Sequence, residues 1–234
     1  MSHIDDRERL RSYQSAFAST IDGIAPDAPV VHCGDWRVRD LVEHLADIHV
    51  WAAGRAGGRR LRIDPAPDLR TRYLTAAAVL SDALDGLDPD RSCWTLLDDD
   101  VPEGVPRIGT VRFWHRRQAN EALVHLWDLR TAGGAGLDVT EEEWLDCLDE
   151  VVTVMHPRQV RLGRIEPPTV GVGFAVVAGP VLELACAPAG AEPITVHGTA
   201  RELALLAWGR QSLDALQVDG DRGALAQALD GIVP

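Results

Sequence analysis

The sequence predicts an α+β protein: an N-terminal antiparallel four-helix bundle over residues 1–155, then a smaller α+β domain over residues 156–234. Three observations predict it. Up to about Val154, apolar residues recur at helical spacing in long segments, separated by loops rich in Pro, Gly and Asp. Beyond His156-Pro157 the pattern changes to short Val- and Ala-rich runs flanked by Gly and Pro, which read as strands. Four of the helical segments are long, and long helices joined by loops pack as a bundle.

The first helix runs from about Ile4 to Ile21. The second begins after Trp36 and places Leu41, Leu45, Ile48 and Ala52 on one face. A third, Leu69 to Leu87, starts behind Asp68 as N-cap and ends near Pro89. The fourth, Val111 to about Ala132, stops at Gly133-Gly134. A shorter helix opens at Thr140-Glu-Glu-Glu, a capping-box pattern, with Trp144, Leu145 and Leu148 on one side. In the second half, Val170–Val177 and Val181–Cys186 form a hairpin and Ile194–His197 a further strand. Thr199 caps a helix over Ala200–Trp208, and Leu225–Leu229 makes a last short one. The run Gly171-Val-Gly173-Phe-Ala-Val-Val-Ala-Gly179 has neither a preceding strand nor the third glycine of a phosphate loop, so it reads as a strand containing glycines.

Composition narrows the partners. The net charge of −13 repels nucleic-acid phosphates and anionic lipid surfaces, which favours a small molecule or another protein as partner. All 23 basic residues are Arg, the mark of a GC-rich genome. Met1–Leu10 has no apolar core and does not read as a signal peptide, and the uncharged run Thr169–Leu182 is too short to span a bilayer. Cys33, Cys93, Cys147 and Cys186 lie far apart, as expected of reduced, mostly buried thiols in a cytoplasmic monomer or homodimer.

The chemistry concentrates in Asn120-Glu-Ala-Leu-Val-His-Leu-Trp-Asp128. On a helix, Glu121, His125 and Asp128 share one stripe. An i, i+4 Glu–His pair makes a two-pronged metal site, and Asp128 can orient a neighbouring ligand. His44, between Leu41 and Ile48 on the apolar side of the second helix, offers a further ligand. Two His and one Glu leave a coordination position open, as in catalytic zinc sites. The same spacing also fits a hydrogen-bonded core histidine and a solvated Glu–His contact. His32, His49, His115, His156 and His197 show no ligand spacing among themselves, although His49 could line the mouth of the site. Trp36 and Trp114 would flank it, and Asp98-Asp-Asp100 reads as a solvated loop.

Trp36-x-x-x-Asp40-Leu-Val-x-His44-Leu, then Glu121-x-x-x-His125-x-Trp127-Asp128-Leu and Ala132-Gly133, resembles the mycothiol-dependent maleylpyruvate isomerase family, within the DinB-like metalloproteins. Gly198-Thr-Ala-Arg-Glu-Leu-Ala-Leu-Leu-Ala-Trp-Gly-Arg210 extends the resemblance to the C-terminal domain. One departure is Arg37, which stands where many relatives have a small capping residue. The resemblance implies a DinB-like bundle with His44, Glu121 and His125 as ligands of Zn²⁺ or another divalent ion, and Asp128 as a nearby functional acid. It implies that Arg210 faces the interdomain cleft, where a guanidinium suits a substrate carboxylate; a surface helix-end cation is the alternative. Mycothiol would be the low-molecular-weight thiol cosubstrate of an isomerase or a thiol S-transferase. Two other readings are a non-catalytic metal- or ligand-binding module and a DinB-like zinc hydrolase using metal-bound water.

Overall fold

A computed structural model describes residues 5–102, 104–190 and 193–233; Ile4, where the first helix was expected to begin, lies outside them. The chain forms two compact units, Met1–Asp138 and Val139–Pro234. This division precedes the change in sequence character at residue 156, because the Thr140-capped helix packs within the second unit.

Four long helices build the first unit: α1 (Asp6–Ile21), α2 (Val38–Gly57), α3 (Leu69–Asp85) and α4 (Val111–Ala132). Helix α2 packs on α3 and α4, and α1 packs on α4 and α3. Their starts follow the capping chemistry of the sequence. Asp5 accepts from the N–H groups of Arg7 (2.9 Å) and Glu8 (3.3 Å), and Asp68 from that of Thr71 (2.7 Å). Arg37, which has no acceptor to offer at the N-cap of α2, leaves only half of the reciprocal arrangement: the Asp40 carboxylate accepts from the Arg37 N–H at 2.7 Å. The core is dense in Leu and Ala, with Leu41, Leu45, Leu80, Leu123 and Leu126 essentially inaccessible.

Helix α4 is buried along nearly its whole length and carries a row of buried polar groups, including Gln118, Asn120, Glu121, His125 and Asp128. Burying such groups is costly unless each finds a partner or an ion. Some of the pairing reaches across helices: Arg9 of α1 donates to Asn120 Oδ1 at 2.8 Å.

The Asp98-Asp-Asp100 run departs from expectation. Asp98 is 2% exposed rather than solvated. It closes a 3₁₀ turn (Leu96–Asp98), accepting from the Thr95 N–H (2.9 Å), the Thr95 hydroxyl (2.8 Å) and the Ile108 N–H (2.8 Å). Burial raises its carboxyl pKa, but these donors outweigh burial and hold it below the usual value. Gly109 has no side chain because a Cβ there would lie 2.1 Å from Thr95 Oγ1.

The second unit opens with α5 (Glu141–Glu150), capped as expected. Glu143 accepts from the Thr140 N–H at 3.0 Å, and the Thr140 hydroxyl accepts from the Glu143 N–H at 3.3 Å. One π-type turn, Val151–Met155, joins α5 to α6 (His156–Arg161), just before Pro157 withdraws an N–H donor. Strands β1 (Gly171–Val176), β2 (Val181–Glu183), β3 (Pro193–Gly198) and β4 (Gln217–Asp219) form a mixed sheet ordered β2-β1-β3-β4. Strands β1 and β2 are the expected hairpin, and β1 runs parallel to β3. Gly171 is required where β1 and β3 begin: a Cβ would sit 2.8 Å from Pro193 Cα. Helix α7 (Ala200–Ala207), with the Thr199–Glu202 capping box, packs on β1, β3 and α5. Helix α8 (Arg222–Leu229) closes the chain.

Three elements differ from the sequence reading. Helix α6 was not foreseen, because the sequence reading ended the helical half at His156-Pro157. Strand β4 was not foreseen, since three residues are too few to show a period and its recognition depends on pairing with β3. Strand β2 ends at Glu183, and Cys186 takes φ +67°, outside strand geometry. Cys93 and Cys147 are buried, Cys33 is half-buried, Cys186 is exposed, and all four are free thiols. No helix among the described residues is long and apolar enough to cross a membrane.

Candidate metal centre

Helices α2 and α4 bring His44, Glu121 and His125 together. Glu121 Oε1 lies 3.5 Å from His44 Nε2 and 3.4 Å from His125 Nε2. One donor atom from each residue falls within 4.8 Å of the other two, the one such group of three His, Cys, Asp or Glu side chains among the described residues. Two ligand atoms each about 2.0–2.1 Å from a tetrahedral zinc lie roughly 3.3–3.5 Å apart. The two imidazole–carboxylate separations therefore fit a shared divalent ion.

The surroundings orient each donor. His125 donates from Nδ1 to Asp128 Oδ2 at 3.0 Å, which leaves Nε2 directed at Glu121. This carboxylate–imidazole arrangement selects the tautomer able to ligate a metal and makes the imidazole more basic. Cys33 Sγ also donates to Asp128 Oδ2, at 3.5 Å. Glu121 is divided in function: Oε1 faces the two imidazoles, while Oε2 accepts from Arg117, one turn earlier on α4. His44 is held by ring packing, its centroid 4.8 Å from that of Trp36 and 5.1 Å from that of His125. Its side chain is 32% exposed, against 6% for Glu121 and 8% for His125, so the cluster opens to solvent on the His44 side.

Electrostatics match this arrangement. Burial pushes the Glu121 carboxyl up, but the Arg117 guanidinium and the two imidazoles hold it well below the usual carboxylate range. Burial pushes the His125 imidazole down, yet Asp128 and Glu121 raise it to about 9. An imidazole held this high carries a proton at neutral pH, which any cation ligated there would have to displace.

Of the residues singled out from sequence, four converge here: His44, Glu121, His125 and Asp128. Arg210 belongs to the second unit, just past α7, where its guanidinium donates to the Trp208 carbonyl at 2.6 Å. Trp36 stands against the site, whereas Trp114, two turns before Glu121, is fully buried in a cluster with Trp51, Trp94 and Phe113. His197 pairs with Asp219 at 2.8 Å, and His115 and His156 are buried without hydrogen-bond partners among the described residues.

Sequence reasoning missed Arg117 and Cys33. The i, i+4 spacing of Arg117 and Glu121 was a visible signal for the first. Cys33 lies in a loop, and no periodicity marks it.

His49 does not line the mouth. It is fully buried, 2.8 Å from Gln118 Oε1 through Nδ1 and 3.5 Å from the Tyr73 hydroxyl through Nε2. Burial lowers its pKa to about 4. The unfolded chain, with an ordinary imidazole near 6.5, binds this proton more readily, so the stability His49 allows is complete above about pH 6.5 and is lost as pH falls toward 4. We expect His49 to remove about 2 kcal/mol of unfolding free energy between pH 7 and pH 5. Urea unfolding at the two pH values checks this, and His49→Gln, which retains a hydrogen-bonding side chain, should show a correspondingly smaller loss. An equal loss in the variant would assign the acid sensitivity to other groups.

Comparison with known proteins follows the same lines. No functionally curated protein is similar enough in sequence to match. Two crystal structures of a mycothiol-dependent maleylpyruvate isomerase are similar in fold, one of a histidine-to-alanine mutant (TM-score 0.63) and one described without a mutation (0.62). Each is 16% identical to this chain, over 92% of this chain and 93% of the other. A family model described as the mycothiol maleylpyruvate isomerase N-terminal domain matches residues 8–130, more than half of the sequence and every residue of the cluster. The chain thus belongs to the mycothiol maleylpyruvate isomerase N-terminal domain family.

Proposed function

We propose that the protein is a metal-dependent, mycothiol-using isomerase of small electrophilic carboxylates, built on a DinB-like antiparallel four-helix bundle with zinc as the ion. The observation that carries this reading is the His44–Glu121–His125 cluster with Asp128 behind His125: three donors within 4.8 Å of one another, one side open, in a chain of this family. The fold likeness to a mycothiol-dependent maleylpyruvate isomerase supports it.

His44, Glu121 and His125 would hold the ion, which when bound supplies a Lewis acid that favours the thiolate form of an incoming thiol. The residues of the chain do the rest. Asp128 fixes the His125 ring and keeps the donating proton on Nδ1. Arg117 neutralises the second oxygen of Glu121, so only one oxygen faces the cluster. Trp36 and the exposed edge of His44 border the side from which a thiol and substrate approach. A thiolate adding to an electron-poor cis double bond converts it to a single bond. Rotation and expulsion of the thiolate then give the trans isomer and return the thiol unchanged. Arg210 is proposed to bind the substrate carboxylate, supported by the C-terminal motif it ends and by guanidinium–carboxylate geometry.

The test is isomerisation of maleylpyruvate followed by absorbance. Turnover is expected with mycothiol present, none with the thiol omitted, and none after chelation until a divalent ion is restored. Hydrolytic turnover that needs no thiol would overturn the proposal.

A further inference from the structure

The first unit contains a second concave feature. A cleft of about 1230 Å³ opens between the C-terminal half of α2, the first turn of α3 and the segment leading into α4, and no member of the His44–Glu121–His125 cluster lines it. Trp51, in its wall, lies two helical turns from His44, roughly 10 Å along the axis.

Its charge runs against that of the protein. In a chain of net charge −13, seven arginines and a single carboxylate, Asp47, line this cleft. Asp47 pairs with Arg72 at 2.5 Å. Arg55 lies over the rings of Trp94 (4.3 Å) and Trp51 (5.5 Å). Arg59, Arg60 and Arg62, from the loop after α2, make no ion pair among the described residues, and neither do Arg91 and Arg107 before α4.

The loop is built into the fold. Gly58 takes φ +71° and turns the chain back along α2. Gly54 leaves room for that return, since a Cβ there would meet the Arg59 carbonyl oxygen at 2.5 Å. Leu61 and Ile63 then pack on Ala46, Val50 and Ala76, while Arg60 and Arg62 line the cleft.

Crowded, unpaired guanidinium groups repel one another, and a multiply charged anion relieves that repulsion. Guanidinium forks suit phosphate oxygens, which they bind bidentately. Trp51 is 37% exposed and offers ring surface for a flat group to stack on. The strongly negative remainder of the protein opposes a long polyanion, so a compact ligand fits best.

We propose that this cleft binds a nucleoside polyphosphate, its phosphates held by the arginines of the two segments and its base against Trp51. The proposal stands independently of the metal centre.

The test is titration of the full-length protein with ATP, inorganic tripolyphosphate, adenosine and a single-stranded oligonucleotide, by tryptophan fluorescence and calorimetry. ATP is expected to bind saturably with a micromolar Kd that weakens as salt rises, tripolyphosphate more weakly, and adenosine not measurably. Arg62→Ala combined with Arg91→Ala changes exposed side chains and is expected to raise the ATP Kd at least about tenfold with an unchanged circular-dichroism spectrum. Gly54→Ala, which displaces the loop, should weaken ATP as well. No saturable ATP binding, or an unchanged Kd in the double variant, would overturn the proposal. So would tripolyphosphate binding as tightly as ATP, an oligonucleotide binding tighter than ATP, or ATP binding lost on chelation of the metal yet indifferent to the arginines.

Discussion

Purified protein is expected to carry about one divalent ion per chain, and His125→Ala to lose both the ion and turnover. His125 is the most constrained of the three donors, with Nε2 facing Glu121 and Nδ1 tied to Asp128 inside the helical core. Its removal leaves two donors, of which His44 is partly exposed, too few for a stable site. Metal affinity should fall by well over about a hundredfold, whereas Asp128→Asn, which keeps the ligands and weakens only their orientation, should cost about 10- to 100-fold. Elemental analysis and competition with a chromophoric chelator measure both. Because the ion must displace a proton from an imidazole raised to about 9, loading should strengthen as pH rises toward that value. A His125→Ala protein that retains one ion per chain would remove the metal centre as described.

Arg117→Met should destabilise the metal-free protein by about 2–3 kcal/mol, less than leaving a buried carboxylate wholly unpaired, because the His44 and His125 imidazoles still face Glu121 Oε1. Arg117 and Glu121 are 10% and 6% exposed, so water screens the pair little. The bound cation would take over much of the neutralisation of Glu121, and the same substitution should cost distinctly less in the metal-loaded form. Urea unfolding with and without the ion reads the difference directly. Equal destabilisation in both forms would mean that Arg117 acts through packing alone, with no electrostatic link to the centre.

The pattern of what was legible follows from the range of the interactions involved. Helix starts at Asp68, Thr140 and Thr199 were visible because a cap and the N–H it accepts from lie within three residues. The stripe Glu121–His125–Asp128 was visible for the same reason, being a property of one helix. Asp98 was misread because the N–H it takes from Ile108 arrives across a loop, and an acidic run looks solvated until that donor is in place. The Arg59–Arg62 cluster stood in the sequence, yet a cleft appears only where Arg91, Arg107 and two tryptophans join it from elsewhere.

By itself, the sequence determined that this chain is α+β, where α3 and α4 begin, and that Glu121, His125 and Asp128 share one stripe of α4. Only the tertiary structure decided that His44 and His125 both approach one Glu121 oxygen within about 3.5 Å, that Arg117 claims the other carboxylate oxygen, and that His49 is sealed in the core. Periodicity specifies the face a side chain occupies on its own helix. The packing of α2 against α4 specifies what that face meets, and that depends on the summed burial of the whole core.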